Sequence, residues 1–86
     1  MSEFFQLIDR TTGNVIKDYE TEAAALNELE TVARTHGLEE IRDFALLEFR
    51  DGLPIRAAME EELAALVQAI DPQFWGVKTA AAGVAR

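Results

Sequence analysis

Apolar and polar positions alternate in short runs over two stretches of this chain and recur at three- and four-residue steps over two others. That pattern predicts two β-hairpins and two helices. The clearest element is Phe44–Ala58, where two apolar runs flank Asp51-Gly52, a dipeptide suited to a tight hairpin because glycine accepts positive φ without steric cost. A three-residue loop of Arg50, Asp51 and Gly52 aligns Ala45, Leu47 and Phe49 with Ala57, Ile55 and Leu53, and assigns that face to the helices. A two-residue loop would set Leu47 against Arg56 and Glu48 against Ile55, mixing charge into both faces. Pro54 has no N–H to donate, which marks its strand as an edge strand or places it at a non-bonded position.

The first hairpin pairs Phe4–Ile8 with Val15–Tyr19 across the turn residues Asp9 to Asn14. Placing Asp9 opposite Asn14 aligns Leu7 with Ile16 on one face and leaves Phe4, Ile8, Val15 and Tyr19 on the other. Between the hairpins, Thr21 to His36 carries Ala25, Leu26, Leu29, Val32, Ala33 and His36 at helical spacing. Thr21 is its expected N-cap, Glu22 suits the helix dipole, and Gly37 ends it. Ile41 is an expected core plug in the polar link that follows. After the second hairpin, Glu60-Glu61-Glu62 opens a helix to Ile70 with Met59, Leu63, Leu66, Val67 and Ile70 on one stripe, stopped by Asp71-Pro72. Phe74-Trp75 comes next, either folded over the core or protruding as an aromatic anchor.

Set side by side, Leu7, Gly13 and Leu26 correspond to Leu47, Gly52 and Leu63, an architectural repeat offset by about 40 residues. The resulting ββαββα order predicts an α+β fold, one four-stranded antiparallel sheet with two helices on one face. The strand order is 2-1-3-4 if the most apolar strands are central, or the 3-4-2-1 order of a permuted ferredoxin-like fold. A single domain over 1–78 and a flexible tail over 79–86 complete the expected organisation.

Composition narrows the function classes. The formal net charge is −8, and the eight basic residues are scattered, which disfavours nucleic acid and anionic membrane as partners. The chain has no cysteine, which removes disulfides and thiolate metal sites and suits a cytoplasmic setting. Met1-Ser2-Glu3 opens acidic with no long apolar run, so neither signal peptide nor membrane span is predicted.

Candidate chemistry is thin. Asp9 and Glu20 are spaced like the first and last ligands of an EF-hand loop, but Gly13 is one place early, Lys17 occupies a ligand position, and strands flank the loop. His36, the sole histidine, has no cysteine and few hydroxyls to activate, and reads as a helix C-terminal dipole partner. No catalytic residue, metal or cofactor is expected, and the chain is not read as an enzyme.

The apolar residues on the second sheet face carry the functional expectation. Phe4, Ile8, Val15, Tyr19, Phe44 and Leu46, with Trp75, are the candidate interface of a small interaction or regulatory module, homodimeric through its sheet. Alternatives are a small-molecule-binding regulatory domain and an acidic, antitoxin-like antagonist of a basic protein. Thr21-Glu22-Ala23 with Leu26, then Gly37, then Asp51-Gly52 resembles the small uncharacterised bacterial proteins built as hairpin, helix, hairpin. The resemblance spans roughly Phe4–Arg56, implies a compact α+β fold, and supplies no activity.

Overall fold

A computed structural model describes residues 2–76; the tail expected over 79–86 lies outside them. The elements are β1 (Glu3–Asp9), β2 (Val15–Tyr19), α1 (Glu22–His36), a 3-10 turn (Leu38–Ile41), β3 (Phe44–Arg50), β4 (Leu53–Met59), α2 (Glu60–Gln68) and a single helical turn α3 (Pro72–Trp75). The four strands form one antiparallel sheet in the order β2-β1-β3-β4. The fold is therefore α+β with the more apolar strands central, and the permuted ferredoxin-like order does not occur. Pro54 does lie on an edge strand.

Local chemistry sets each boundary. The Thr21 side chain accepts from the Ala24 N–H at 3.1 Å, and Gly37, at φ 98°, donates its N–H to the Ala33 carbonyl to close α1. The Asp51-Gly52 turn has positive φ at both residues, 53° and 83°, the requirement of a two-residue type I′ hairpin. In the first loop, Asp9 accepts from the Thr11 N–H and hydroxyl at 2.9 and 2.6 Å, which holds its carboxyl below the usual range. Its carboxylate thus serves the turn.

Both registers differ from those the alternation predicts, and each for the same reason. In the first hairpin, Leu7 pairs with Lys17 and Ile8 with Val15, so Ile16 is the extra residue of a bulge. In the second, the loop has two residues rather than three, and a bulge at Ile55 restores the match: Glu48 faces Arg56, and Leu47 faces Ala57. One inserted residue shifts the pairing by one, and in the second hairpin this sets Glu48 opposite Arg56. Ile16 and Ile55 are accordingly about half exposed.

The helices cover one face of the sheet. Phe5, Leu7, Tyr19, Leu46 and Ala58 meet Leu26, Leu29, Ala33, Ile41, Leu63 and Val67 in the core. Ile41 is the core plug its position suggested. The second helix ends at Gln68, two residues short of the expected Ile70, which consequently lies exposed beyond the core stripe. Among the described residues no helix is long and apolar enough to cross a membrane.

Candidate functional site

Pairing of β1 with β3 decides which side chains share a face. Leu7 lies opposite Leu46 and Phe5 opposite Glu48, so these belong to the helix side; Phe4 lies opposite Phe49, Gln6 opposite Leu47, and Ile8 opposite Ala45 on the other. β4 adds Pro54, Ala57 and Met59 to the open side through their partners Phe49, Leu47 and Ala45. β2 contributes Asp18 and Val15 through Gln6 and Ile8.

This placement corrects half of the expected interface. Phe4, Ile8 and Val15 do lie on the open face, the first two half-buried and Val15 55% exposed. Tyr19 and Leu46 are buried in the core, and Phe44 packs against it. The same register moves Ala45, Leu47, Phe49 and Ala57, expected under the helices, to the open side. The sequence misleads because β3 is apolar on both faces, and Glu48 alone suggested which one met solvent. Glu48 is instead satisfied on the helix side, within 3.5 Å of Arg50 and 3.2 Å of Arg56. The signal that could have exposed the error is pairing across strands: only the Leu46 row of β3 can continue the Phe5–Leu7 face of β1.

Charge follows the same division. Glu3, Asp9, Lys17, Glu48, Arg50 and Arg56 all fall in register with core-facing residues, leaving Asp18 as the one charged strand residue in an open-face row. Two of them reach α1: Lys17 pairs with Glu28 at 3.1 Å, and Arg56 with Glu22. Hydrogen bonding to Glu22, reinforced by the charges of Glu22 and Glu48, raises the Arg56 pKa. Asp18 in turn accepts from the Gln6 amide at 3.1 Å.

The open face has its own relief. Phe4 and Phe49 stack across β1 and β3 with ring centroids 4.9 Å apart and planes 2° from parallel. Along β3 the open-face side chains run Phe49, Leu47, Ala45, so the row descends from an aromatic to a methyl. Ala45 is only 2% exposed and sits in register between Ile8 and Met59. Ala45 is thus closed over by its larger neighbours and contributes almost no exposed surface to the open face.

Trp75, the remaining candidate, is tied to the helices. Its indole Nε1–H donates to Glu30 Oε2 at 3.1 Å, and the half-buried ring packs against the core. Glu30 is 6% exposed and also accepts from Arg34, whose guanidinium lies 3.9 Å above the Phe74 ring and 3.2 Å from Asp71. Asp71 caps α3 by accepting from the Phe74 N–H, and that bond, with Arg34, lowers its pKa. Trp75 therefore closes the α1 side of the core and is not part of the open face.

No cluster of three or more potential metal-ligating side chains occurs among the described residues. His36 is exposed in the last turn of α1. No family model, curated protein or solved structure matches this chain.

Proposed function

We propose that this chain is a non-enzymatic interaction module that pairs with a second copy of itself through the open face of its sheet. The observation that carries the proposal is the sorting of charge: a chain of net charge −8 keeps every strand charge but Asp18 off one face and lines that face with Phe4, Ile8, Leu47, Phe49, Ala57 and Met59. Charges at a buried interface are costly unless paired, so a surface meant for burial excludes them. A second copy brings the same charge-poor surface, and its strand acids other than Asp18 stay on the far side.

Area supports the same occupant. Three strands of seven residues and one of five, about 4.8 Å apart, present on the order of 400 Å² of sheet plane, and two such faces with their side chains bury on the order of 1,000 Å². That reaches the size at which specific interfaces begin. Homodimerisation in a cytoplasmic setting is consistent with the cysteine-free composition.

Sedimentation velocity at micromolar concentration tests the reading. The wild type sediments as a dimer, and Leu47→Glu, which places a carboxylate at the centre of the open face, sediments as a monomer with unchanged far-UV circular dichroism. A monomeric wild type refutes the proposal. If that monomer captures a basic protein or a small molecule, the antagonist or ligand-binding reading takes its place.

A further inference from the structure

Resting on that reading, we infer that Asp18 fixes how the two copies are oriented: the two-fold axis runs along the strands, and Asp18 of each copy faces Ala57 of the other. Two sheets that pair isologously, face to face and with their strands nearly aligned, have the axis in the plane between them, either along the strands or across them. The middle row of the open face reads Asp18, Gln6, Leu47, Ala57 from β2 to β4. An axis across the strands through that row lays β2 on β2 and sets Asp18 against Asp18 of the second copy. An axis along the strands, between β1 and β3, lays β2 on β4 and sets Asp18 against Ala57.

Charge decides between them. Asp18 is exposed, accepts from the Gln6 amide at 3.1 Å, and takes part in none of the ion pairs among the described residues. Stacked sheets lie about 10 Å apart, so two Asp18 side chains entering the same gap bring their carboxylates together with no cation between them, and like charges opposed at an interface weaken it. With the axis along the strands, the two Asp18 residues stand at opposite edges, three strand spacings or about 14 Å apart, which exceeds the Debye length of about 8 Å at physiological ionic strength. Each then meets a methyl side chain on an exposed edge strand, where the carboxylate keeps its water. The crossing of about 30° usual for stacked sheets displaces facing edge residues by about 4 Å, less than the roughly 7 Å between rows, and preserves the match of Asp18 with Ala57.

A charge cycle measured by sedimentation tests the orientation. Ala57→Lys places an ammonium opposite Asp18 of the second copy and Ala57→Glu places a carboxylate there, so the first dimerises at least roughly tenfold more tightly than the second. In an Asp18→Asn background the two converge to within about threefold. Within one copy positions 18 and 57 lie about 14 Å apart on the sheet, so this coupling arises only between copies. With the axis across the strands, position 57 faces itself, both introduced charges repel alike, and Asp18→Asn alone tightens the dimer. A difference between Ala57→Lys and Ala57→Glu that persists in the Asp18→Asn background reports net charge rather than contact and overturns the orientation.

A second measurement does not depend on charge, because the chain has no native cysteine. Asp18→Cys and Ala57→Cys are prepared separately, and each alone and an equimolar mixture are treated with a short bis-maleimide. The mixture yields at least roughly tenfold more covalent dimer than either variant alone, since thiols at 18 and 57 face each other only in the mixed dimer. Efficient cross-linking of Asp18→Cys with itself overturns the orientation in favour of the axis across the strands. Sedimentation of the untreated wild type separates the two levels: a dimer that fails these tests refutes the orientation alone, and a monomer refutes the pairing as well.

Discussion

Replacing Glu30 by alanine removes the acceptor that holds α3 against α1. The Glu30 carboxylate is buried, and it receives the Trp75 indole N–H at 3.1 Å and the Arg34 Nε–H at 2.9 Å. Arg34 is partly exposed and recovers hydration when the carboxylate goes, so its loss is small. Trp75 is half-buried against the core, and its N–H is left without an acceptor; an unsatisfied buried donor costs about 1–3 kcal/mol. Relief of the desolvated carboxylate offsets part of this, and the missing side-chain carbons add to it, which leaves a net destabilisation of about 2 kcal/mol. For a domain of this size that is a fall of roughly 8–16 °C in Tm. The chain has one tryptophan, so its fluorescence reports α3 directly: the emission maximum of Glu30→Ala shifts to the red at temperatures where the rest of the fold is intact by circular dichroism. A Tm within about 2 °C of wild type, the equivalent of under about 0.5 kcal/mol, with unshifted emission refutes the clamp.

Two further outcomes rest on single residues. Tyr19, the one tyrosine, has its hydroxyl buried without a hydrogen-bond partner among the described residues; burial first, and then the nearby Glu28 carboxylate, push its pKa from 10.0 up to about 12. The unfolded phenol ionises at its ordinary value while the folded one keeps its proton, so this contribution to stability is complete below pH 10.0 and disappears between there and about pH 12. Phenolate absorbance of the native protein should rise only near the upper value, and a midpoint at the ordinary one refutes the burial. Positive φ gives a pair of opposite signs: Gly52→Ala, at φ 83°, destabilises by about 1 kcal/mol, whereas Glu60→Gly, at φ 53°, stabilises by about 0.5 kcal/mol after loss of the partly exposed Arg10 pair. Chemical denaturation checks both, and two shifts of the same sign would refute the argument.

The four strands, the two longer helices and their order were legible because each is marked locally, whereas the short turns at Leu38–Ile41 and Pro72–Trp75 were not foreseen. Thr21 caps α1, Gly37 ends it, Asp51-Gly52 turns the second hairpin, and Pro54 marks an edge. The open face was legible only in part, since its membership depends on register, and register is set by partners distant in sequence. A bulge at Ile16 and another at Ile55 each move one residue out of pairing; the first carries no local mark, and the second has only the preceding Pro54, which also fits an edge strand. The expected faces were consequently right for Phe4, Ile8 and Val15, and inverted for Tyr19, Phe44 and Leu46. Trp75 was ambiguous for a different reason: its partner Glu30 sits on the buried side of α1, where a carboxylate is uncommon and no periodicity announces it.

The same bulges bear on the proposed pairing of two copies of this chain. A four-stranded sheet offers two routes to association, extension at an edge or stacking on a face, and the outer strands β2 and β4 obstruct the first. β2 is five residues long, interrupted at Ile16, and carries Lys17 and Asp18 in succession. β4 is interrupted at Ile55, immediately after Pro54, which lacks an N–H for any incoming strand. A bulge also increases local twist, so that a straight partner strand cannot follow the edge. Apolar residues that would make either edge adhesive, Ile16 and Ile55 among them, are therefore attached to backbone that is poorly shaped for pairing. The uninterrupted pairing is between β1 and β3, seven residue pairs long, and it lies at the centre of the sheet, where it can be approached only from its face. Obstructed edges and a charge-poor, regular centre favour the same mode of contact, one sheet laid on another.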